Sequence, residues 1–289
     1  MSTIRLIPRL DIKGENLVKG IHLEGLRVLG KPERFARYYY EQGADELIFM
    51  DAVASLYNRN SLLDLVRKTS SEIFIPLTVG GGLRSLEDIR GVLQAGADKV
   101  AINTAAVRFP DFIRQAAKRF GSSTIVVSIE TMADVKGQYE IFTDGGREKT
   151  GINVYAWAQK AQELGAGELL ITAIHREGTG TGFDVELIQK ISELVEIPVI
   201  ASGGAGKLEH IRDVISMGRV QAVALASILH YHLVKTHGLT DRFDEEINVE
   251  VLRQAHGFSK IQDTTIQEIR RILIDQGISL RIFPESLIS

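Results

Sequence analysis

The chain repeats itself. The stretch IPLTVGGGLRSLEDIRGV beginning at Ile75 returns as IPVIASGGAGKLEHIRDV beginning at Ile197, an offset of 122 residues. At the same offset EQGADELI, Glu41 to Ile48, overlies ELGAGELL, Glu163 to Leu170, so the register holds through two successive units. Each half is therefore built on one plan, and two half-barrels are the simplest reading. Short β-rich runs (Ile4 to Leu10, Glu46 to Met50, Ile75 to Val79, Lys99 to Ile102, Thr124 to Ile129, Glu168 to Thr172, Ile197 to Ala201 and Gln221 to Leu225) alternate with longer amphipathic stretches. In the latter, such as PERFARYYYEQ and DVELIQKISELV, apolar residues recur three and four apart. Strand–helix alternation demands a parallel sheet, and eight βα units with a two-fold repeat predict an α/β fold of the (β/α)8 TIM barrel type. An open, doubly wound sheet is the alternative, weakened because no GxGxxG follows the first run.

The 289 residues, 44% hydrophobic and 25% charged, match one large soluble core, so a single domain over 1–289 is expected. Two stretches exceed eight plain units: a hairpin-like insertion near 131–150 and an insertion near 231–263 before the last helix. With no cysteine there is no disulfide framework, no Cys-ligated metal and no thiolate nucleophile, a composition compatible with a cytoplasmic location. A net charge of -3 supplies no basic field for nucleic acid, and no run is long and apolar enough to span a membrane. Neither partner is expected, nor is a cofactor or a metal, since no metal-ligand spacing is present.

Chemistry in such a barrel sits where the C-terminal strand ends meet the βα loops. Gly81 and Gly82 follow the third run and Gly203 and Gly204 the seventh, each ahead of a helix, where backbone N–H groups can approach an anion. Taken alone, either turn is explained by tight chain geometry. Their recurrence in both halves, joined by Asn103 and Thr104, Gly178 and Thr179, and Ala226 and Ser227, predicts two anion pockets and a bisphosphorylated substrate. Asp11 ends the first run and Glu130 the fifth, so the two carboxylates face each other across the axis, as general acid–base work requires. Asp51 adds a carboxylate, Lys19 a cation for phosphate or developing negative charge, and Glu177 and His175 follow the sixth run, the histidine reading as solvated. At the opposite end Arg5, Glu46, Lys99 and Glu168 begin runs one, two, four and six. They read either as a salt-bridge ring or as a gate admitting a small neutral or weakly basic molecule.

IPRLDIK with VKG at Val18 to Gly20, GADELIFMD, IPLTVGGGLRS, GADKVAINTAAV, FGSSTIVVSIE, LGAGELLITAI, REGTGTGFD and IPVIASGGAG carry a resemblance over nearly the whole chain except the second insertion. Together they resemble the cyclase subunit family of imidazole glycerol phosphate synthase. The resemblance implies a barrel that takes ammonia from a separate glutaminase subunit, as a heterodimer, and passes it through its interior. It would then close the ring of imidazole glycerol phosphate and release aminoimidazole carboxamide ribotide, in histidine biosynthesis. It further implies that Asp11 and the carboxylate at position 130 form the acid–base pair, that Lys19 lies in a mobile first loop, and that the glycine turns hold two phosphates. The four gate charges match residue for residue, and Asp98 matches a position near the glutaminase. The chain departs from the family in having Glu130 for Asp, Arg9 for Cys, His175 and Glu177 for two aspartates, and the second insertion. These departures keep a second reading open: an ammonia-delivering relative serving another amidation, such as nucleotide-sugar modification, without cyclase activity. A sister sugar-isomerase barrel shares the carboxylates and phosphate sites, but the gate charges and VKG argue against it.

Overall fold

The computed structural model describes residues 3–52, 60–236 and 260–281. In chain order the elements are β1 (Arg5–Lys13), β2 (Asn16–Ile21), β3 (Glu24–Gly30), α1 (Pro32–Glu41), β4 (Leu47–Asp51), α2 (Asn60–Ser70), β5 (Leu77–Gly80), α3 (Leu86–Gln94), β6 (Lys99–Ile102), α4 (Thr104–Arg108) and α5 (Asp111–Phe120). There follow β7 (Ile125–Ala133), β8 (Tyr139–Thr143), β9 (Glu148–Asn153), α6 (Val154–Glu163), β10 (Glu168–Ala173), α7 (Val185–Leu194), β11 (Val199–Ser202), α8 (Leu208–Gly218), β12 (Ala222–Leu225), α9 (Ser227–Thr236) and α10 (Ile266–Asp275). Eight of the strands close a parallel ring in the order β1, β4, β5, β6, β7, β10, β11, β12, with β12 pairing back onto β1. This is the (β/α)8 barrel. The repeat survives in three dimensions, because α1 and α6, and likewise β5 and β11, keep the 122-residue offset at both ends.

Side-chain alternation divides the core in two. Outward-facing strand residues such as Leu6, Phe49, Val127 and Ile171 pack with Phe35, Ile113, Trp157 and Ile188 of the helices. Inward-facing residues form a separate apolar cluster around the axis, including Ile7, Ile48, Val126, Leu170 and Ile200. Fully burying a side chain of this size contributes about 2 kcal/mol, so the alternation fixes which residues point down the barrel. Local chemistry sets the helix starts. Ser85 and Asp88 form a reciprocal capping box ahead of α3, Asn153 caps α6 and Asp184 caps α7.

Two strands of the ring run on beyond the barrel, and each is extended by a hairpin. β2 and β3 fold back antiparallel on β1, while β8 and β9 do the same on β7. Since β1 and β7 are opposite members of the ring, the hairpins flank the C-terminal rim from two sides. Of the 231–263 stretch, residues 231–236 continue α9, and residues 237–259 lie outside the described residues. Among the described residues no helix is long and apolar enough to cross a membrane.

Candidate active site

Successive inward positions on β1 are Arg5, Ile7, Arg9 and Asp11, and on β7 Val126, Ser128 and Glu130. Both carboxylates thus reach the C-terminal rim on opposite strands. They line one cavity, together with Arg9, Lys19, Met50, Arg147 and Glu177. Asp11 and Glu130 are only 5% and 6% exposed. Arg9 Nε donates to Asp11 Oδ1 at 3.0 Å, and Arg9 Nη1 donates to Thr172 Oγ1 at 2.9 Å and Ser202 Oγ at 3.3 Å. Its backbone is held too: the ring of buried His230 bonds the Arg9 carbonyl through Nε2 at 2.9 Å and the Tyr39 hydroxyl through Nδ1 at 2.6 Å. Burial pushes His230 down to about 4, with the Lys19 charge adding to that, so this ring is neutral and its tautomer is set by its two partners.

Burial raises the Glu130 carboxyl to about 7, against the pull of the Arg9 charge and the Gly146 amide. Its Oε2 is buried and has no hydrogen-bond partner among the described residues. A carboxyl that titrates near neutrality can give up and regain a proton at working pH. The β2–β3 hairpin carries Lys19 back over the mouth, where its ammonium ion-pairs with Glu177 Oε1. Burial opposes the Lys19 charge, yet Glu177 and Asp11 outweigh it and raise its pKa. Glu177 also accepts from the Leu23 amide at 3.1 Å through Oε2 and from the His22 amide at 3.0 Å through its carbonyl. One residue of the sixth loop therefore ties down the first.

Gly81, Gly82, Asn103 and Thr104 line a second cavity with Arg84, Arg108, Asp144 and Arg147, and Glu130 borders this cavity as well as the first. Asn103 Nδ2 donates to the Phe142 carbonyl at 3.3 Å, and Thr104 Oγ1 accepts from the Asp144 amide at 3.0 Å, so the fourth turn is braced against the β8–β9 hairpin. Asp51 is elsewhere: the inward position on β4 is Met50, and Asp51 lines a groove with Leu62, Leu63 and Gly91 between α2 and α3. Gly178, Thr179, Gly203, Gly204, Ala226 and Ser227 border neither of the two mouth cavities. The glycine turns answer to close chain approach in both halves. A Cβ at Gly81 would stand 2.5 Å from the Asp51 carbonyl oxygen, and one at Gly204 would stand 2.1 Å from that of Gly182. Gly203 lies against Glu177, so turns six and seven adjoin. Thr179 Oγ1 donates to the Arg176 carbonyl at 2.7 Å, Ala226 accepts from the Leu229 and His230 amides at 2.9 Å, and Ser227 opens α9. His175, expected to be solvated, is partly so, with 31% of its side chain exposed, and its Nε2 also meets Asp184 Oδ2 at 3.1 Å, while Tyr139 donates to the same oxygen at 2.6 Å. Burial opposes the Asp184 charge, but these two bonds prevail and lower its pKa.

At the opposite end Arg5 Nη1 meets Glu46 at 2.6 Å and Nη2 meets Glu168, while Lys99 reaches Glu46 at 3.1 Å and Glu168 at 3.0 Å. Each cation bridges both carboxylates, which closes the ring. Burial opposes the Arg5 charge, and the two glutamates outweigh it and raise its pKa. Asp98 is next to this ring, one residue before Lys99, and its Oδ2 accepts from the Leu77 amide at 2.8 Å.

A family described as Histidine biosynthesis protein matches residues 5–235. The chain belongs to this family. It is 58% identical over 209 residues to a Legionella pneumophila protein named imidazole glycerol phosphate synthase subunit HisF, covering 72% of this chain and 99% of that one. It is 45% identical over 245 residues to a protein of the same name from Alkaliphilus metalliredigens (strain QYMF), covering 85% and 97% respectively.

Within this histidine-biosynthesis barrel, the mouth also holds residues that the sequence does not mark as site members, Arg9 and Arg147 among them. Arg9 shares the inward parity of Arg5 and Asp11 on one strand. Arg147 had only the Gly145–Gly146 turn to mark it, yet it lines both mouth cavities.

Proposed function

We propose that this chain is the cyclase subunit of imidazole glycerol phosphate synthase, acting in histidine biosynthesis. In this reading it takes ammonia from a glutaminase partner, closes the imidazole ring of imidazole glycerol phosphate and releases aminoimidazole carboxamide ribotide. The observation that carries it is the shared cavity: Asp11 and Glu130, from opposite strands, border one space, and Glu130 also borders the cavity of Gly81, Gly82, Asn103 and Thr104. A ribotide held there by a phosphate would present its reacting centre to both carboxylates. Condensation of ammonia with the sugar ketone, whose oxygen leaves as water, and ring closure with expulsion of the ribotide amine require one group to accept a proton from the incoming nitrogen and another to protonate the leaving groups. Lys19, buried beside Glu177 and near Asp11, supplies positive charge where negative charge develops.

The ion-pair ring is the entry for ammonia, the apolar inner cluster is its passage, and the ring face with Asp98 receives the glutaminase in a heterodimer. A neutral molecule crosses an apolar passage at far lower cost than its protonated form, which suits ammonia. The second phosphate belongs at the turns of Gly178, Thr179, Gly203, Gly204, Ala226 and Ser227, supported by their symmetry with the first set. The location is cytoplasmic, where histidine precursors are made.

The purified chain, given the bisphosphorylated ribulosyl intermediate and ammonium chloride, is expected to yield imidazole glycerol phosphate without any partner. No imidazole product would overturn the cyclase assignment. It would leave the amidation reading, which draws on the Arg9 ion pair that already engages Asp11.

A further inference from the structure

Among the described residues of the mouth, Arg9 is a buried cation that the cyclase reading leaves without a task. It precedes Asp11 by two residues on the same inward face of β1, and only 5% of it is exposed. Its guanidinium binds Asp11 on its own strand, Thr172 on β10 and Ser202 on β11. Held by three strands, it has little freedom to swing away. The opposite carboxyl lives differently, because Glu130 Oε2 is buried with no partner among the described residues. A carboxylate hydrogen-bonded by a guanidinium keeps its charge in a dry site, whereas a buried carboxyl oxygen without a donor favours the neutral acid.

We propose that Arg9 is a positioning residue that divides the labour of the two carboxylates, fixing Asp11 as the charged proton acceptor and leaving Glu130 as the proton donor. This assignment of roles rests on the cyclase reading. The surroundings of Glu130 agree with it: burial pushes this carboxyl up to about 7, and the Arg9 charge keeps it from rising further. Arg9 thus serves both groups, as a hydrogen-bond donor to one and as a field on the other. A guanidinium that merely filled the axis would leave turnover and the Glu130 titration unchanged on replacement by an apolar side chain of the same length.

The test uses the full chain with Arg9→Met, which keeps length without charge, and Arg9→Lys, which keeps charge without the fork. Ammonium-dependent turnover of the bisphosphorylated ribulosyl intermediate is followed against pH. In parallel, carboxyl carbons of isotopically labelled Asp and Glu are titrated by NMR, with D11N and E130Q assigning the signals. Arg9→Met is expected to lower kcat by about tenfold or more with KM changed less than about threefold, and to move the Glu130 titration upward. Arg9→Lys should restore most of that kcat. An unchanged or higher kcat in Arg9→Met overturns the proposal, as does a wild-type titration in which Asp11 rather than Glu130 carries the proton near neutrality. Should Arg9→Met not fold, the wild-type titration and the Arg9→Lys pH profile decide the matter in the same two directions. A wild type that turns over no ribotide but shows Glu130 protonated and Asp11 ionised sinks the cyclase reading and leaves the division of charge standing.

Discussion

The two ends of the barrel handle buried charge in opposite ways. At the N-terminal end two cations meet two carboxylates, and Arg5 and Lys99 each bridge Glu46 and Glu168. Charge balances there and every carboxylate is paired. At the C-terminal end, among the described residues, two buried cations, Arg9 and Lys19, face three buried carboxyl groups, Asp11, Glu130 and Glu177, while Arg147 of the same cavity is exposed to solvent. The surplus falls on Glu130, which burial relieves by favouring its protonated form. A balanced ring is what structure alone asks for. A deliberate surplus in a dry cavity stores a titratable proton, which is the currency of acid–base catalysis. The contrast explains why strand-end charge alone is a poor guide to chemistry in a barrel.

The largest expected break in the contrast is kinetic. Glu130→Gln removes the proton while keeping the shape, and ammonium-dependent turnover should fall by about 10²–10⁴-fold. A loss under tenfold, measured at saturating ribotide, would show that the surplus carboxyl has no part in proton transfer. Next in size is a stability effect with a definite sign. Glu130 titrates higher in the folded chain, at about 7, than in the unfolded one, near the usual 4.5. The folded state therefore binds the extra proton between those values. Its stabilising contribution is complete below pH 4.5 and is lost as pH rises through 7, a change of about 3 kcal/mol. Urea midpoints from pH 4.5 to 8 should show this decline in the wild type and a flatter curve in Glu130→Gln. Parallel curves would place the proton on another group.

Much of this was legible in the sequence because it rests on periodicity. The 122-residue repeat and the βα alternation determine ring closure, since a half-barrel cannot bury its edges alone. The ion-pair ring was likewise readable from four charges at strand starts. What escaped depended on side-chain parity and on distant partners. Asp51 ends its strand as Asp11 does, but Met50 takes the inward position, and position at a strand end carries no information on parity. Arg9 stands out in the sequence only as a departure from the family's Cys, and its partners Thr172 and Ser202 lie 163 and 193 residues away, beyond any local pattern. His175 met Asp184 through a loop turn that composition does not encode. The β2–β3 hairpin hid behind a stretch that reads as an ordinary first loop, and it is what carries Lys19 onto Glu177.

The two smallest effects belong to the ring. Arg5→Ala leaves Glu46 and Glu168 with Lys99 as their shared cation, and should cost about 2 kcal/mol in urea unfolding, below a fully buried pair because the ring is partly open to water. Arg5 and Lys99 side chains are 21% and 18% exposed, whereas those of the Arg9–Asp11 and Lys19–Glu177 pairs are between 2% and 7%. Screening should therefore tell the two ends apart. Raising sodium chloride to about 1 M shortens the Debye length to about 3 Å, which reaches charges in contact with solvent and leaves the enclosed mouth largely untouched. The cost of Arg5→Ala should then shrink by about 0.3 kcal/mol, while that of Arg9→Met stays constant. Equal salt sensitivity at both ends would mean that the mouth is as wet as the ring, and an open mouth could not hold Glu130 in its neutral form.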